Sequence, residues 1–301
     1  MSIRVKSIFR LLKEAFQGWQ KDKVSILAAA LAYYTVFSIA PLLVIAIAIA
    51  GAIFGEEAAR GEIVSQIDYL VGQQGAEAIE TAITNANQPK LSSAASIISI
   101  TVLFVGASGV FAQLQTALNT VWNVEAKPNA GIWEFIRKRL LSFGMVLSIG
   151  FLLLVSLMIS TALAAINNLD INLFSEFAFL WRVLNFVISF SLITLLFALI
   201  YKYLPDVEIR WKDVWIGAIV TASLFIFGKY LIGLYLGKSS LGSAYGAAGS
   251  LIVFLAWVFY SAQILLFGAE LTQVYTRRYG SKISPNSHAV MIDSSNNRSD
   301  Q

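Results

Sequence analysis

The sequence predicts an all-α, polytopic membrane protein with six transmembrane helices and both termini in the cytoplasm. Three observations carry this. First, Val24–Phe54, Leu91–Val124, Leu140–Leu169, Val183–Tyr201 and Ser239–Ala269 hold no charged residue, and Val214–Gly237 holds only Lys229. A helix crosses the ~30 Å hydrocarbon core in about 20 apolar residues, and each run is long enough. Second, 57% of the 301 residues are hydrophobic and 13% charged, against about 25% charged in soluble domains. Third, the basic residues are unevenly distributed. Most of the 22 lie before the first run, in loops 122–139 and 202–212, or after the last run. These segments share one side if the spans alternate, and Lys and Arg are retained on the cytoplasmic side. The net charge of +4 is therefore a topology signal and no pointer to nucleic acid.

The expected organisation is an amphipathic N-terminal surface helix over 1–23, a six-span membrane domain over 24–279, and a disordered polar tail over 280–301. The spans are expected at about 26–53, 94–120, 140–166, 180–203, 213–237 and 246–274. In the N-terminal segment Ile8, Leu11, Leu12, Ala15, Phe16 and Trp19 fall at helical spacing, with Arg10, Lys13, Glu14 and Gln17 on other faces. Such a helix lies in the membrane surface, as an anchor or as a sensor of anionic lipid. The first run is too long for a signal-peptide core and lacks a small-residue cleavage site, so it is expected to be retained. The first outer loop, 55–90, carries two short amphipathic patterns: Ile63, Ile67, Leu70 and Val71, then Ala76, Ile79, Ile83 and Ala86. The tail is rich in Ser, Asn and Asp.

Polar groups inside apolar runs are costly and face protein or water. Lys229 is the sharpest case. It lies ~22 Å along its run from Val214, in the outer half of the membrane. It either faces a substrate-anion or proton-coupling cavity or snorkels to the outer headgroups beside Tyr230 and Tyr235. Glu270 ends the last run at the cytoplasmic edge, where Arg277, Arg139 or Lys202 is the expected partner and a gating role the alternative. Gln263 and Tyr260 are expected near the midplane. Tyr33, Tyr34 and Ser38 precede Pro41, which removes a backbone donor and frees the Phe37 carbonyl. These groups line a polar cavity or bond between helices. Asn185 and Asn119 complete the candidates, with Asn119 and Glu270 read as structural or gate residues and the others as substrate or cavity residues.

Cysteine is absent and His288 is the one histidine, so no thiolate, disulfide or His-rich metal site is expected, and no cofactor. Hydrolysis of RNA at zinc needs clustered His and Asp ligands, and nuclease activity is rejected. No enzymatic chemistry is expected.

Several segments resemble one family. Ala28–Pro41 (AAALAYYTVFSIAP), Ala117–Asn123 (ALNTVWN), Tyr201–Asp206 (YKYLPD), Gly228–Lys229–Tyr230, Tyr245–Gly246–Ala247 and Gly268–Leu271 (GAEL) are similar to motifs of the YihY/BrkB family of bacterial inner-membrane proteins. The resemblance covers about residues 10–280. It implies a six-span inner-membrane protein. Members have been called ribonuclease BN, linked to serum resistance, or proposed to move lipids or envelope precursors. Lys229, Asn119, Pro41 and Glu270 fall inside the similar motifs. Two functions are expected as alternatives: a transporter or exporter of a lipid-like or small anionic solute, and a non-transporting scaffold for an envelope-assembly complex. The expected partners are membrane lipids and such a substrate, with homo-oligomerisation left open.

Overall fold

A computed structural model describes residues 5–57, 60–61, 63–64, 80–81, 84, 109–127, 178–238, 249–280 and 283–292. The expected span at 140–166, most of that at 94–120, and most of the first outer loop lie outside these residues. The elements are α1 (Val5–Lys21), α2 (Val24–Phe54), α3 (109–121), β1 (Val124–Ala126), α4 (Ala178–Tyr203), β2 (Val207–Glu208), α5 (Trp211–Lys238), α6 (Gly249–Tyr279), β3 (Ser284–Pro285) and β4 (Ala289–Met291). Among the described residues, four stretches are long and apolar enough to cross a membrane: Val24–Val44, Phe186–Tyr203, Trp211–Leu231 and Leu251–Tyr279.

α6 is the shared wall of the bundle, packed against α1, α2 and α5, while α4 packs on α5. Three glycines set the α5–α6 register. A Cβ at Gly217 would strike Thr272, one at Gly268 would strike Thr221 and the Tyr201 hydroxyl, and one at Gly228 would strike Tyr260. These pairs descend in one helix as they rise in the other, so α5 and α6 run antiparallel. Small residues bring helices close enough for dispersion and hydroxyl contacts to hold them where lipid offers no hydrophobic drive. Ala218, Ala222, Ala262 and Ala269 extend the seam, and the core continues into Val24, Ala28, Leu118, Val121 and Tyr201.

α1 differs from its expected role. It does not spend its apolar face on the bilayer alone: Leu11 and Ala15 are buried against Leu271 and Val274 of α6. Phe9, Leu12 and Phe16 lie on another, exposed face. The junction to α2 turns at Lys23, which adopts left-handed backbone (φ 51°, ψ 43°). That conformation costs a non-glycine residue about 1 kcal/mol, and it folds α1 back across α6. Pro41 lies inside α2, which continues across it to Phe54 as one helix.

The tail also differs from expectation. Residues 283–292 are not disordered. β3 pairs with β2 (Val207 opposite Pro285) and β4 pairs with β1 (Val124 opposite Met291), both antiparallel. Lys127 Nζ donates to the Ser287 carbonyl at 2.7 Å, and its backbone N–H donates to the His288 carbonyl at 3.0 Å. Asn123, in left-handed backbone (φ 53°), ends α3 and accepts from the Ile292 N–H. Pairs this short leave no period-2 pattern to read. They strap together the ends of α3, α4 and α6 and the start of α5.

The glycine seam sets a size limit. Gly268→Val and Gly217→Val are each expected to destabilise the bundle by about 1–3 kcal/mol through overpacking. Thermal unfolding of purified protein checks this, with Gly61→Ala, where a Cβ meets nothing within 4 Å, left close to wild type.

Candidate functional site

Polar side chains collect at the strapped end of the bundle in three groups. The first joins α1, α2 and α6. Trp19 Nε1 donates to Gln263 Oε1 at 3.0 Å, and Gln263 Nε2 donates to Ser25 Oγ at 3.3 Å. Gln263 is therefore level with the first turn of α2. The left-handed turn at Lys23 brings Trp19 over it.

One to two turns further along α6 lies Glu270, 1% exposed. Its expected basic partners are engaged elsewhere or undescribed. Arg278 bonds Glu14 at 2.6 Å and Arg277 stands 4.0 Å from the same carboxylate. Lys202 donates to the Ile209 carbonyl, and Arg139 lies outside the described residues. Glu270 instead meets Gly18, where a Cβ would collide with Oε2, and its carboxyl lies within interaction range of that of Asp22. Its Oε1 is buried without a hydrogen-bond partner. Ionised carboxylates only accept hydrogen bonds, so a bond between two carboxyls needs a proton on one of them. Burial pushes the Asp22 carboxyl above its ordinary value, opposed by the Lys21 charge and the bond to Glu270.

The second group is centred on Asp206, in the loop between α4 and β2. Asn119 Nδ2 donates to Asp206 Oδ2 at 2.8 Å, Gln115 Nε2 to Oδ1 at 3.3 Å, and the Asp206 N–H to Asn119 Oδ1 at 2.8 Å. Gln115 and Asn119 stand four residues apart on one face of α3. All three are buried. The third group lies on the glycine seam. Tyr201 Oη is 2.9 Å from Thr221 Oγ1 and donates to the Leu265 carbonyl at 2.7 Å.

The remaining candidates are scattered. Lys229 is half-buried on α5 and has an interaction of its own. Its neighbour Gly228 faces Tyr260, so it lies about 15 Å along α6 from the level of Glu270. The two are not a pair. Tyr230 is 68% exposed. Ser38 is buried beside Gly109, whose Cβ would stand 3.3 Å from its hydroxyl. Tyr33 is 61% exposed and packs against the rings of Tyr34 and Phe37, with centroids 5.8 and 4.9 Å away. Tyr33 and Tyr34 thus face outward. Pro41 is half-buried. Asn185 lies on α4, its side chain outside the described residues.

Asp22, Asp206, Gln115, Trp19 and Tyr201 escaped the sequence-based list of site residues. Asp22 sits between Lys21 and Lys23 and reads as solvated. Asp206 carried a signal, the Leu204–Pro205–Asp206 turn closing a span.

An apolar helical bundle with buried, internally bonded polar groups defines this chain as a membrane protein. Residues 15–293 match the family described as Virulence factor BrkB, and the chain belongs to that family. It is similar to UPF0761 membrane proteins of Acinetobacter baylyi (25% identity, covering 95% of this chain and 67% of the relative), Psychrobacter sp. (26%, 92% and 50%) and Photobacterium profundum (29%, 83% and 76%). The chain thus spans between half and three-quarters of the length of these relatives. No solved structure matches it.

Two predictions follow from the buried groups. Asn119→Ala strips Asp206 of two hydrogen bonds in a dry setting and is expected to cost about 2–4 kcal/mol, measured by thermal unfolding in detergent. Asp22 has a raised folded-state value. Its favourable contribution is complete below the unfolded value near 4 and is lost as pH rises toward the folded value. Asp22→Asn is therefore expected to gain stability relative to wild type as pH increases; a difference that shrinks with pH contradicts this.

Proposed function

We propose that the protein is a multi-pass bacterial inner-membrane transporter or exporter of a lipid-like or small anionic solute, with no enzymatic activity of its own. The observation that carries this reading is Lys229, a half-buried cation within a membrane-crossing helix. A charge is costly at that depth and marks ion or substrate pathways more often than packing. A fixed cation in the outer half is suited to a phosphate or carboxylate headgroup. Six spans with both termini cytoplasmic complete the reading. It is supported by the gathering of Lys13, Lys21, Lys127, Lys202, Arg210, Arg277 and Arg278 on elements that meet at one end, the arrangement expected of a cytoplasmic face.

A non-transporting scaffold is the second reading. It is favoured by the complete interhelical bonding of Gln263 and of the Asn119–Asp206 group.

Proteoliposomes separate the two. With tail-labelled fluorescent phosphatidylglycerol as probe, wild type is expected to carry label across the bilayer faster than protein-free vesicles. Lys229→Ala is expected to slow it about tenfold, the effect of one lost charge-assisted contact. Crossing at the rate of empty vesicles, together with co-purification of a stable partner, supports the scaffold. Equal rates in wild type and Lys229→Ala remove Lys229 from the mechanism.

A further inference from the structure

We propose that Asp22 and Glu270 form a proton-binding site that closes the seam between α1 and α6 at the basic end of the bundle. The geometry rests on three features. Glu270 is almost wholly buried, and one of its oxygens has no hydrogen-bond partner. Its carboxyl neighbours that of Asp22, and a proton held by one of the two lets them bond rather than repel. Gly18, one helical turn before Asp22, leaves the space the Glu270 carboxyl fills; a side chain there would strike Oε2.

The surrounding charges do not remove the need for a proton. From α1, Lys21 acts on both carboxyls; from α6, Arg277 acts on Glu270. Arg277 is shared with Glu14. Neither cation stands within ion-pair distance of the two carboxyls among the described residues. From α5, the nearest acid on the same wall, Asp213, faces Gly280, beyond Glu270 along α6. Burial favours the neutral form of Asp22.

Binding and release of the proton then act on packing. Loss of the proton leaves two carboxylates in contact in a poorly hydrated seam, and like charges at that range repel. The repulsion loosens α1 from α6, along with the Trp19–Gln263 bond and the Leu11 and Ala15 contacts that lie on the same interface. If the chain transports, this is the place for a coupling proton. Only that use rests on the transport reading, and the site itself is tested without any substrate.

The test is infrared spectroscopy of the full-length protein in lipid nanodiscs through a pH titration. Wild type is expected to show a protonated-carboxyl stretch that disappears on alkalinisation and is missing from Glu270→Gln. In Asp22→Asn the side-chain amide donates to Glu270, so no shared proton is needed and the band is expected to be lost at neutral pH. Labelling with dicyclohexylcarbodiimide, which attacks protonated carboxyls, provides a second reading. Glu270 is expected to be modified at neutral pH in wild type, and that modification is expected to be lost in Glu270→Gln; equal labelling of the two proteins counts against the site. A wild-type spectrum lacking that band across the titration, or one unchanged in Glu270→Gln, overturns the proposal whether or not the variants carry lipid.

Discussion

The fold depends on α6 being approached closely from three sides. In hydrocarbon, helices gain nothing from hiding apolar side chains from one another, so contact has to come from shape and internal hydrogen bonds. Gly217, Gly228 and Gly268 supply the shape by removing the atoms that would keep α5 and α6 apart. The hydroxyls of Thr221, Thr272 and Tyr201 occupy the freed space. Thr221 and Thr272 also bond the carbonyls of Gly217 and Gly268 one turn back. Each hydroxyl is thus satisfied within the seam. Bulk and polarity are solved by the same pairs of residues, which leaves little tolerance for change.

The same constraint sorts the polar residues into two kinds. Asn119, Gln115 and Asp206 satisfy one another, as do Trp19, Gln263 and Ser25. Such groups specify which helices meet and in what register. Glu270 and Lys229 are of the other kind. Each is an ionisable group on a helix long and apolar enough to cross a membrane, where a charge costs energy that packing alone does not require. They lie about 15 Å apart along α6, one near the basic end and one well inside, so they act as separate features.

Much of this was legible in the sequence, for physical reasons. Span-length apolar runs have few other uses, so α2, α4, α5 and α6 were readable as helices long and apolar enough to cross a membrane. Asn119 and Glu270 stood out in the sequence because they are polar at apolar positions. What they touch was not. Asp22 is flanked by Lys21 and Lys23, a pattern typical of a solvated turn, and only the left-handed turn at Lys23 aims it at α6. Gln263 was placed by counting residues along one helix, whereas its level is fixed by Trp19 and Ser25 on two others. Strands β1 to β4 are two or three residues long and pair with partners distant in sequence (Val207 with Pro285, Val124 with Met291), so no local periodicity announces them.

That last feature bears on how the protein is made. Lys127 and Ser287 bond across 160 positions of sequence. A ribosome adding about 5–20 residues per second needs on the order of ten to thirty seconds to supply the second partner after the first has emerged. During that interval β1 is without the strand it pairs with. β3 and β4 can pair with β2 and β1 only after that interval, so this fastening follows the synthesis of the helices it joins.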